Sequence, residues 1–312
     1  MATNRSGDGA RPADAGRVPA GSPVSGAAPP EAGPDGSDQG PLLRLQGIGK
    51  NFGPVQALTG IDLDIPAGQV TALVGDNGAG KSTLIKTIAG IWPPSSGELI
   101  WKGRPVHIHS PRDATNLGIA AVYQDLALAD NLDIVQNMLL GHEPTRFGLL
   151  DEVKMELTAK QTLQDLRVTT VRSIRQPVGS LSGGQRQAVA VAKAVMQDVR
   201  LVIMDEPTAA LGVTQTEQVL ALITRLASTG HAVLLISHNL PDVFQVADRI
   251  AVLYLGRLVA VGPAADFDTQ SAVEFMTTGG STRRRDGGRS EPGNTTAIAA
   301  RPGPSPSSGP EG

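Results

Sequence analysis

Residues 70–82 read VTALVGDNGAGKS, an apolar run that leads into a glycine-rich turn. The turn fits the pattern G-x-x-x-x-G-K-[ST], in which a strand precedes a phosphate-binding loop and a helix begins near the lysine. We expect Lys81 to reach the β- and γ-phosphates of a nucleotide and the Ser82 hydroxyl to ligate Mg²⁺. The residues predicted to bind the nucleotide are Gly75, Asp76, Asn77, Gly78, Ala79, Gly80, Lys81, Ser82 and Thr83. The alternative is a glycine-rich turn that caps an ordinary helix.

Two carboxylates follow another apolar run, at residues 201–204. Asp205 and Glu206 would then lie at the carboxyl end of a buried strand, where α/β folds place their ligands. We expect Asp205 to hold Mg²⁺ through water, and Glu206 to polarise the water that attacks the γ-phosphate. Two acids after a strand are also common in a solvated loop, and the phosphate loop upstream favours the catalytic interpretation.

A third motif, LSGGQRQ at residues 181–187, predicts the start of a helix. Ser182 is a favourable N-cap residue, and the two glycines after it allow close approach to an anion. The apolar residues that follow share one helix face, and they are Ala188, Val191, Ala192 and Val195. Capping alone would explain an isolated Ser-Gly-Gly, but here the motif precedes a strand that ends in Asp-Glu.

With these three motifs in this order, the chain resembles the ABC ATPase family over residues 43–279. The resemblance implies ATP and Mg²⁺ as cofactors. It also implies that the LSGGQ segment of one copy closes on the phosphate loop of a second copy, so that each nucleotide touches both chains. The residues predicted to contact the nucleotide of the other copy are Ser182, Gly183, Gly184 and Gln185.

Three more residues acquire roles through this resemblance. Gln124, after the apolar run at residues 119–123, matches the glutamine that contacts Mg²⁺ and senses the membrane partner. His238, after the run at residues 233–236, matches the histidine that contacts the γ-phosphate. Phe52 matches the aromatic residue that stacks on adenine, although a phenylalanine at this position could equally belong to the core. The predicted catalytic residues are therefore Glu206, His238 and Lys81, and the predicted Mg²⁺ ligands are Ser82, Gln124 and Asp205.

One position departs from the commonest ABC pattern. Gly212 stands where many members carry Asp, in a loop that crosses the dimer interface, so the contact of this loop with the opposite phosphate loop is in question. The sequence of residues 207–213, PTAALGV, resembles the corresponding segment of monosaccharide importer ATPases. Residues 75–78, 236–239 and 272–277 resemble the same group. Within that group the chain resembles the fructose, ribose and xylose importers, in their single-ATPase form.

The expected fold class is α/β: a P-loop NTPase domain of the ABC ATPase type with a RecA-like parallel-sheet core. Unbroken apolar runs such as Val70–Val74 are typical of buried parallel strands. The segments at 43–45, 61–65 and 97–101 alternate instead, and predict an antiparallel β subdomain. Between about 126 and 179 the strand signal disappears, and a helical insertion is predicted from an apolar face made of Met155, Ala159, Thr162, Leu163 and Leu166.

Composition sets the predicted domain limits. Residues 1–41 and 280–312 are rich in Gly and Pro, bury too little apolar surface to offset ordering, and are predicted to be disordered tails. Residues 42–279 are predicted to form one ABC ATPase domain, with a helical subdomain at about 126–185. The sequence contains no internal repeat, so we expect one ATPase unit and not a tandem pair.

Charge and hydrophobicity exclude several classes of function. The 27 basic and 30 acidic side chains leave a formal charge of −3, which provides no field for nucleic acid. No cysteine is present, so disulfides and thiolate metal sites are excluded. The longest apolar runs are far shorter than the ~20 residues of a membrane span, and we expect neither a spanning segment nor a secretory signal.

The leading hypothesis is the ATP-hydrolysing subunit of an importer, at the cytoplasmic face of the membrane. The resemblance implies three partners: a second copy of the chain, transmembrane permease subunits and, indirectly, a sugar-binding protein. A soluble ABC protein of DNA repair or translation would need a long coiled-coil insertion or a second ATPase unit, and neither is visible. An inactive ABC regulator is disfavoured by the intact set of Lys81, Asp205, Glu206 and His238.

Overall fold

The computed structural model describes residues 40–196 and 198–280. Its strands are β1 (Leu43–Phe52), β2 (Val55–Ile65), β3 (Val70–Val74), β4 (Ser96–Trp101), β5 (Arg104–Val106), β6 (Ile119–Val122), β7 (Thr145–Arg146), β8 (Leu149–Leu150), β9 (Leu201–Asp205), β10 (Ala232–Ile236), β11 (Arg249–Tyr254) and β12 (Arg257–Pro263). Its α-helices are α1 (Lys81–Ile88), α2 (Pro111–Leu117), α3 (Ile134–Leu139), α4 (Glu152–Asp165), α5 (Gly183–Val195), α6 (Val213–Ser228), α7 (Leu240–Val246) and α8 (Thr269–Thr278). Apart from Gly40, Pro41 and Gly280, the segments predicted to be disordered lie outside the described residues.

A central sheet of six strands has the order β12-β11-β3-β10-β9-β6. The five strands from β11 to β6 run parallel, and β12 pairs antiparallel with β11 at the edge. In the register, Ile236 of β10 pairs with Leu73 of β3 on one side and with Asp205 of β9 on the other. The carboxyl ends of these strands therefore meet at one edge of the sheet, which is where an α/β fold binds its ligands.

A second, antiparallel sheet has the order β2-β1-β4-β5. Inward and outward residues alternate at the start of β1, where Leu43 and Leu45 are buried and Arg44 is exposed. The inward residues pack in one apolar cluster with Leu84 of α1 and with Leu201 of β9. This packing fixes the phosphate loop between the two sheets. The predicted α/β fold with a parallel core and antiparallel strands is confirmed.

Helices α3, α4 and α5 lie between β6 and β9 in the sequence, and they pack together. Met155, Ala159, Leu163 and Leu166 are buried as predicted, and Thr162 is half-buried. The expectation that strands are absent from this region is wrong, since β7 and β8 form a short antiparallel hairpin. Its two turn residues, Phe147 and Gly148, both have positive φ, which is the geometry of a tight two-residue hairpin loop.

The sequence predicts no membrane-spanning segment. In the described part of the chain, no helix is both long and apolar enough to cross a bilayer.

Candidate active site

The phosphate loop lies between the end of β3 and the start of α1. Gly80 is the N-cap of α1 with φ 107°, and a Cβ on it would lie 3.1 Å from both the Ala57 carbonyl oxygen and the Leu58 side chain. Only glycine fits at this close approach. The loop is closed by a bond from the Ala79 N–H to the Asp76 carbonyl, 3.1 Å, and the Gly256 N–H donates to the Ala79 carbonyl at 2.8 Å.

Lys81 is folded over this loop. Its Nζ donates to the carbonyl oxygens of Gly75, at 2.6 Å, and Asp76, at 3.1 Å, and the residue is 8% exposed. Burial lowers the pKa of the lysine, while the negative charges of Glu206, Asp76 and Asp205 oppose that shift. The ammonium group is thus held at the loop, within the field of both carboxylates that end β9.

Asp205 is the last residue of β9 and is half-buried. Burial raises the pKa of its carboxyl, the charge of Glu206 raises it further, and Lys81 and Lys86 act in the opposite direction. A carboxylate in these surroundings gains stability from a cation. Asp205, Ser82 and Gln124, the three predicted Mg²⁺ ligands, all carry side-chain oxygen atoms, the donor type that Mg²⁺ prefers.

Glu206 and His238 are in direct contact. Glu206 Oε1 lies 2.8 Å from His238 Nδ1, and the imidazole is 65% exposed at the edge of the site. The contact is a hydrogen bond when Nδ1 carries a proton and an ion pair when the ring is doubly protonated. The Glu206 N–H also donates to the Ile236 carbonyl at 2.9 Å, which ties the ends of β9 and β10 together.

Gln124 comes to the same edge of the sheet because β6 is the neighbour of β9. It follows Tyr123 at the end of β6, and its side chain is exposed. Burial raises the pKa of the Tyr123 phenol, and the charge of Asp205 raises it further. The end of β6 therefore lies within the electrostatic reach of the acidic pair.

Phe52 ends β1 and is 39% exposed, so it is not part of the core. Its ring packs edge-to-face on Trp92, with centroids 4.8 Å apart, and Lys50 Nζ lies 5.2 Å from the Phe52 centroid. Lys86 of α1 lies over the Trp92 ring at 4.7 Å. The sequence interpretation missed Trp92, since no local pattern links it to Phe52.

The LSGGQ segment has an internal hydrogen-bond network. Ser182 caps α5: its Oγ accepts from the Gln185 N–H, and the Gln185 side chain accepts from the Ser182 N–H, which confirms the predicted cap. Gln185 Nε2 donates to the Thr170 carbonyl at 2.6 Å. Ser182 and Gly183 are exposed. Within the described part of the chain, no hydrogen bond joins this segment to the phosphate loop, so the structure does not bring these two predicted site elements into contact.

Two side chains beside Glu206 were also missed. Thr208 Oγ1 donates to Asp242 Oδ2 of α7 at 2.7 Å, and Asp242 is only 9% exposed. Farther along the same loop, Gly212 is the N-cap of α6 and supplies no side-chain acceptor. In the sequence, Asp242 is an acidic residue a few positions after His238, which is a weak signal. Its contact with Thr208 becomes visible only in the structure.

A groove of about 450 Å³ lies beside Gln124, between the parallel sheet and the helices of the insertion. Its walls are mainly apolar and include Ala121, Tyr123, Leu126, Met138, Leu140 and Ala190. The groove therefore offers an apolar surface next to Gln124, whose two neighbours in the chain, Tyr123 and Asp125, both line it.

Comparison with known proteins places these features in context. Residues 58–209 match the family described as ABC transporter. The fructose import ATP-binding protein FrcA of Rhizobium meliloti is 46% identical over 246 residues, which cover 77% of this chain and 95% of that protein. The xylose/arabinose import ATP-binding protein XylG of Sulfolobus acidocaldarius is 44% identical, over 76% of this chain and 94% of the other.

Solved structures agree in fold. The ADP conformation of MJ1267, an ATP-binding cassette of an ABC transporter, superposes with a TM-score of 0.65 at 25% identity, and covers 76% of this chain and 95% of that one.

Proposed function

The chain belongs to the ABC transporter family, and from this premise we propose that it is the ATP-hydrolysing subunit of an importer for a monosaccharide. The observation that carries the proposal is the contact of Glu206 Oε1 with His238 Nδ1, at 2.8 Å, beside the phosphate loop that holds Lys81. The relatives FrcA and XylG are named as import ATP-binding proteins for fructose and for xylose/arabinose, which supports a small sugar as the cargo.

In the proposed mechanism, the loop N–H groups and the start of α1 bind the phosphates of ATP. Lys81 leaves the Gly75 and Asp76 carbonyls and donates to the β- and γ-phosphates instead. Glu206 orients the water that attacks the γ-phosphorus and accepts its proton, and His238 donates to the γ-phosphate. The bond from the γ-phosphorus to the β–γ bridging oxygen breaks, and ADP and phosphate are released. The exposed Phe52 ring stacks on adenine.

Ser82, Asp205 and Gln124 are the residues that would hold Mg²⁺, which when bound neutralises developing charge on the phosphates. In the described residues, no group of three or more His, Asp or Glu side chains could hold a metal ion by themselves. This fits Mg²⁺, which commonly binds to one or two carboxylates together with nucleotide phosphates and water.

A second copy of the chain is the proposed partner at the nucleotide. The exposed Ser182 and Gly183 begin an α-helix whose N-terminal end carries positive dipole charge, which suits a γ-phosphate brought by another chain. Gly184 is buried and the half-buried Gln185 side chain bonds to Ser182 and Thr170, so these two predicted contact residues support the exposed pair from behind. Hydrolysis then requires two copies, because each site takes its LSGGQ segment from the other.

The permease subunits are the proposed partner at the groove beside Gln124. An apolar segment seated against Ala121, Leu126 and Leu140 would move with the end of β6, and through it with the Mg²⁺ ligand. Attachment to the permease places the chain at the cytoplasmic face of the membrane, and a sugar-binding protein on the other side acts through the permease.

The test of the proposed function is Mg²⁺-dependent hydrolysis by the purified protein and by a Glu206→Gln variant. Glutamine keeps the shape but cannot accept the proton, so turnover should fall by about 10²–10⁴-fold while ATP binding persists. Lys81→Ala is the matched comparison, since it removes a charge that contacts phosphate before reaction and should weaken binding itself. Near wild-type turnover by the Gln variant would contradict the proposal.

A further inference from the structure

The loop that follows Glu206 is held to the segment that carries His238 by three hydrogen bonds. Two are made by Glu206 itself: its N–H donates to the Ile236 carbonyl, and its carboxylate accepts from His238 Nδ1. The third is the 2.7 Å bond from Thr208 Oγ1 to Asp242 Oδ2. All three connect the end of β9 and its loop to the stretch from Ile236, the last residue of β10, to Asp242 in the first turn of α7.

The backbone of this loop is strained. Glu206 has φ 51° and Ala210 has φ 59°, a left-handed conformation that residues with a Cβ rarely adopt. Such positions persist only when surrounding interactions over-determine them. Two turns lie inside the loop, in which the Ala209 N–H donates to the Glu206 carbonyl and the Leu211 N–H to the Thr208 carbonyl. The geometry of Glu206 thus depends on what holds Thr208.

Few side chains can hold the loop in place. Residues 206–212 read EPTAALG, so only Glu206 and Thr208 carry side chains that form hydrogen bonds. At Gly212, where a carboxylate would cap α6, there is no side chain. If Glu206 is to act on water, its own carboxylate is needed for chemistry, and among residues 206–212 Thr208 carries the remaining side chain that holds the loop by a hydrogen bond.

Asp242 is suited to this anchoring role. It is 9% exposed, and a buried carboxylate is costly unless it is hydrogen-bonded. It lies in the first turn of α7, where the helix dipole favours negative charge, and it follows His238 by four residues. A bond from a hydroxyl to a carboxylate is among the stronger hydrogen bonds in proteins.

We propose that Thr208 and Asp242 are positioning residues that hold the Glu206 carboxylate and the His238 imidazole in the arrangement needed for hydrolysis. The proposal rests on the hydrolytic role given above to Glu206.

The first experiment compares Thr208→Val, which keeps the shape and removes the hydroxyl, with Thr208→Ser, which keeps the hydroxyl. We expect Thr208→Val to lower kcat by about 10- to 100-fold with KM for ATP nearly unchanged, because misplacement of a reacting group by about 1 Å is this costly. Thr208→Ser should restore most of the turnover. Thr224→Val is the matched control on α6, since its hydroxyl bonds only to the Leu220 carbonyl of its own helix, and its turnover should be unchanged.

The second experiment combines variants. Thr208→Val with Asp242→Ala should be no slower than Thr208→Val alone, because the first change removes the donor and the second removes the acceptor of the same bond. On the Glu206→Gln background, Thr208→Val should cause no further loss. A merely structural role would instead lower the fraction of ATP-binding protein and the melting temperature, and leave kcat per bound ATP at the wild-type value.

The outcomes separate the two proposals. Wild-type kcat in Thr208→Val, with Glu206→Gln inactive, would overturn the positioning role and leave the proposed function standing. A full further loss on the Glu206→Gln background would also overturn it, since Thr208 would then act independently of Glu206. Near wild-type turnover in Glu206→Gln alone would count against the proposed function instead. If Thr208→Val does not fold, Asp242→Ala, which removes the acceptor, is judged by the same kcat and KM criteria.

Discussion

At the scale of single residues, Asp205 lies in surroundings that oppose its charge. Burial is the largest cause of its raised pKa, and the neighbouring charge of Glu206 adds to it. The folded protein therefore binds this proton more readily than the unfolded chain does. Its contribution to stability is present at low pH and is lost as pH rises through the folded-state pKa.

The Asp205→Asn variant tests the direction of this pH dependence of stability. At pH 7 and without nucleotide, the variant should melt at a higher temperature than the parent, by about 2–4 °C for each kcal/mol gained in the free energy of unfolding. The difference should shrink as pH falls towards ~4, the ordinary pKa of the aspartate carboxyl. Thermal melting across pH, with Glu217→Gln on exposed α6 surface as the charge-matched control, provides the measurement. A lower melting temperature for Asp205→Asn at pH 7 would show that the charge is stabilised.

At the scale of elements, α6 begins without a side-chain cap. Gly212 has φ −75° and ψ 163°, which any residue adopts, and a Cβ there would meet nothing within 4 Å. No acidic residue lies in the first turn of α6. The glycine is therefore not required by the backbone, and its effect on the helix can be measured directly.

Gly212→Asp should stabilise the protein by about 0.5–1 kcal/mol. An aspartate side chain satisfies an N–H of the first turn, and the unfolded chain loses backbone freedom. Urea unfolding checks the expected value. Gly212→Ala separates the two causes, because alanine restricts the unfolded chain but is a poor N-cap; equal stability of the Ala and Asp variants would mean that the side chain does not cap α6.

At the scale of the whole molecule, the two-copy site predicts the effect of a charge at Gly183. Gly183→Asp would place a carboxylate against the γ-phosphate of the partner chain, and like charges in a closed site repel strongly. On a Glu206→Gln background, size measurement with ATP should show a dimer that is lost when Gly183→Asp is added. The altered chain should still bind ATP in its own loop.

The control for this variant is Gly183→Ala. A Cβ at this position would lie 2.7 Å from Leu211 Cδ2, so both substitutions require the same small side-chain adjustment, and only aspartate adds charge. Dimers should therefore persist in Gly183→Ala. If Gly183→Asp dimerises as well as Gly183→Ala, the LSGGQ segment does not close on phosphate in another chain.

The groove beside Gln124 predicts a second whole-molecule effect. Leu140 lines the groove and is 46% exposed, so Leu140→Glu should leave hydrolysis by the purified subunit within about twofold while preventing attachment to the permease and sugar uptake. Val273→Glu is the control, at 44% exposure on α8. Uptake and membrane association are measured in cells; normal uptake with Leu140→Glu would mean that the permease binds elsewhere.

Family, fold class and the main motifs could be predicted from the sequence because each signal is local. Each signal consists of residues a few positions apart: the glycines and Lys81 of the phosphate loop, Ser182 and the start of α5, and the apolar strand that ends in Asp205. Membership of the ABC transporter family and the α/β fold are confirmed. The roles of the individual site residues remain predictions, which the variants above test.

The contacts that build the site depended on the tertiary structure. Glu206 and His238 are 32 residues apart in the chain, and Thr208 and Asp242 are 34 apart. They meet because β9 lies next to β10 in a sheet whose strand order differs from the chain order. The edge-to-face contact of Phe52 with Trp92 likewise joins residues that are distant in the chain. Local propensity reports which residues begin a strand or cap a helix, whereas only the packing of distant strands determines which side chains share one edge of the sheet.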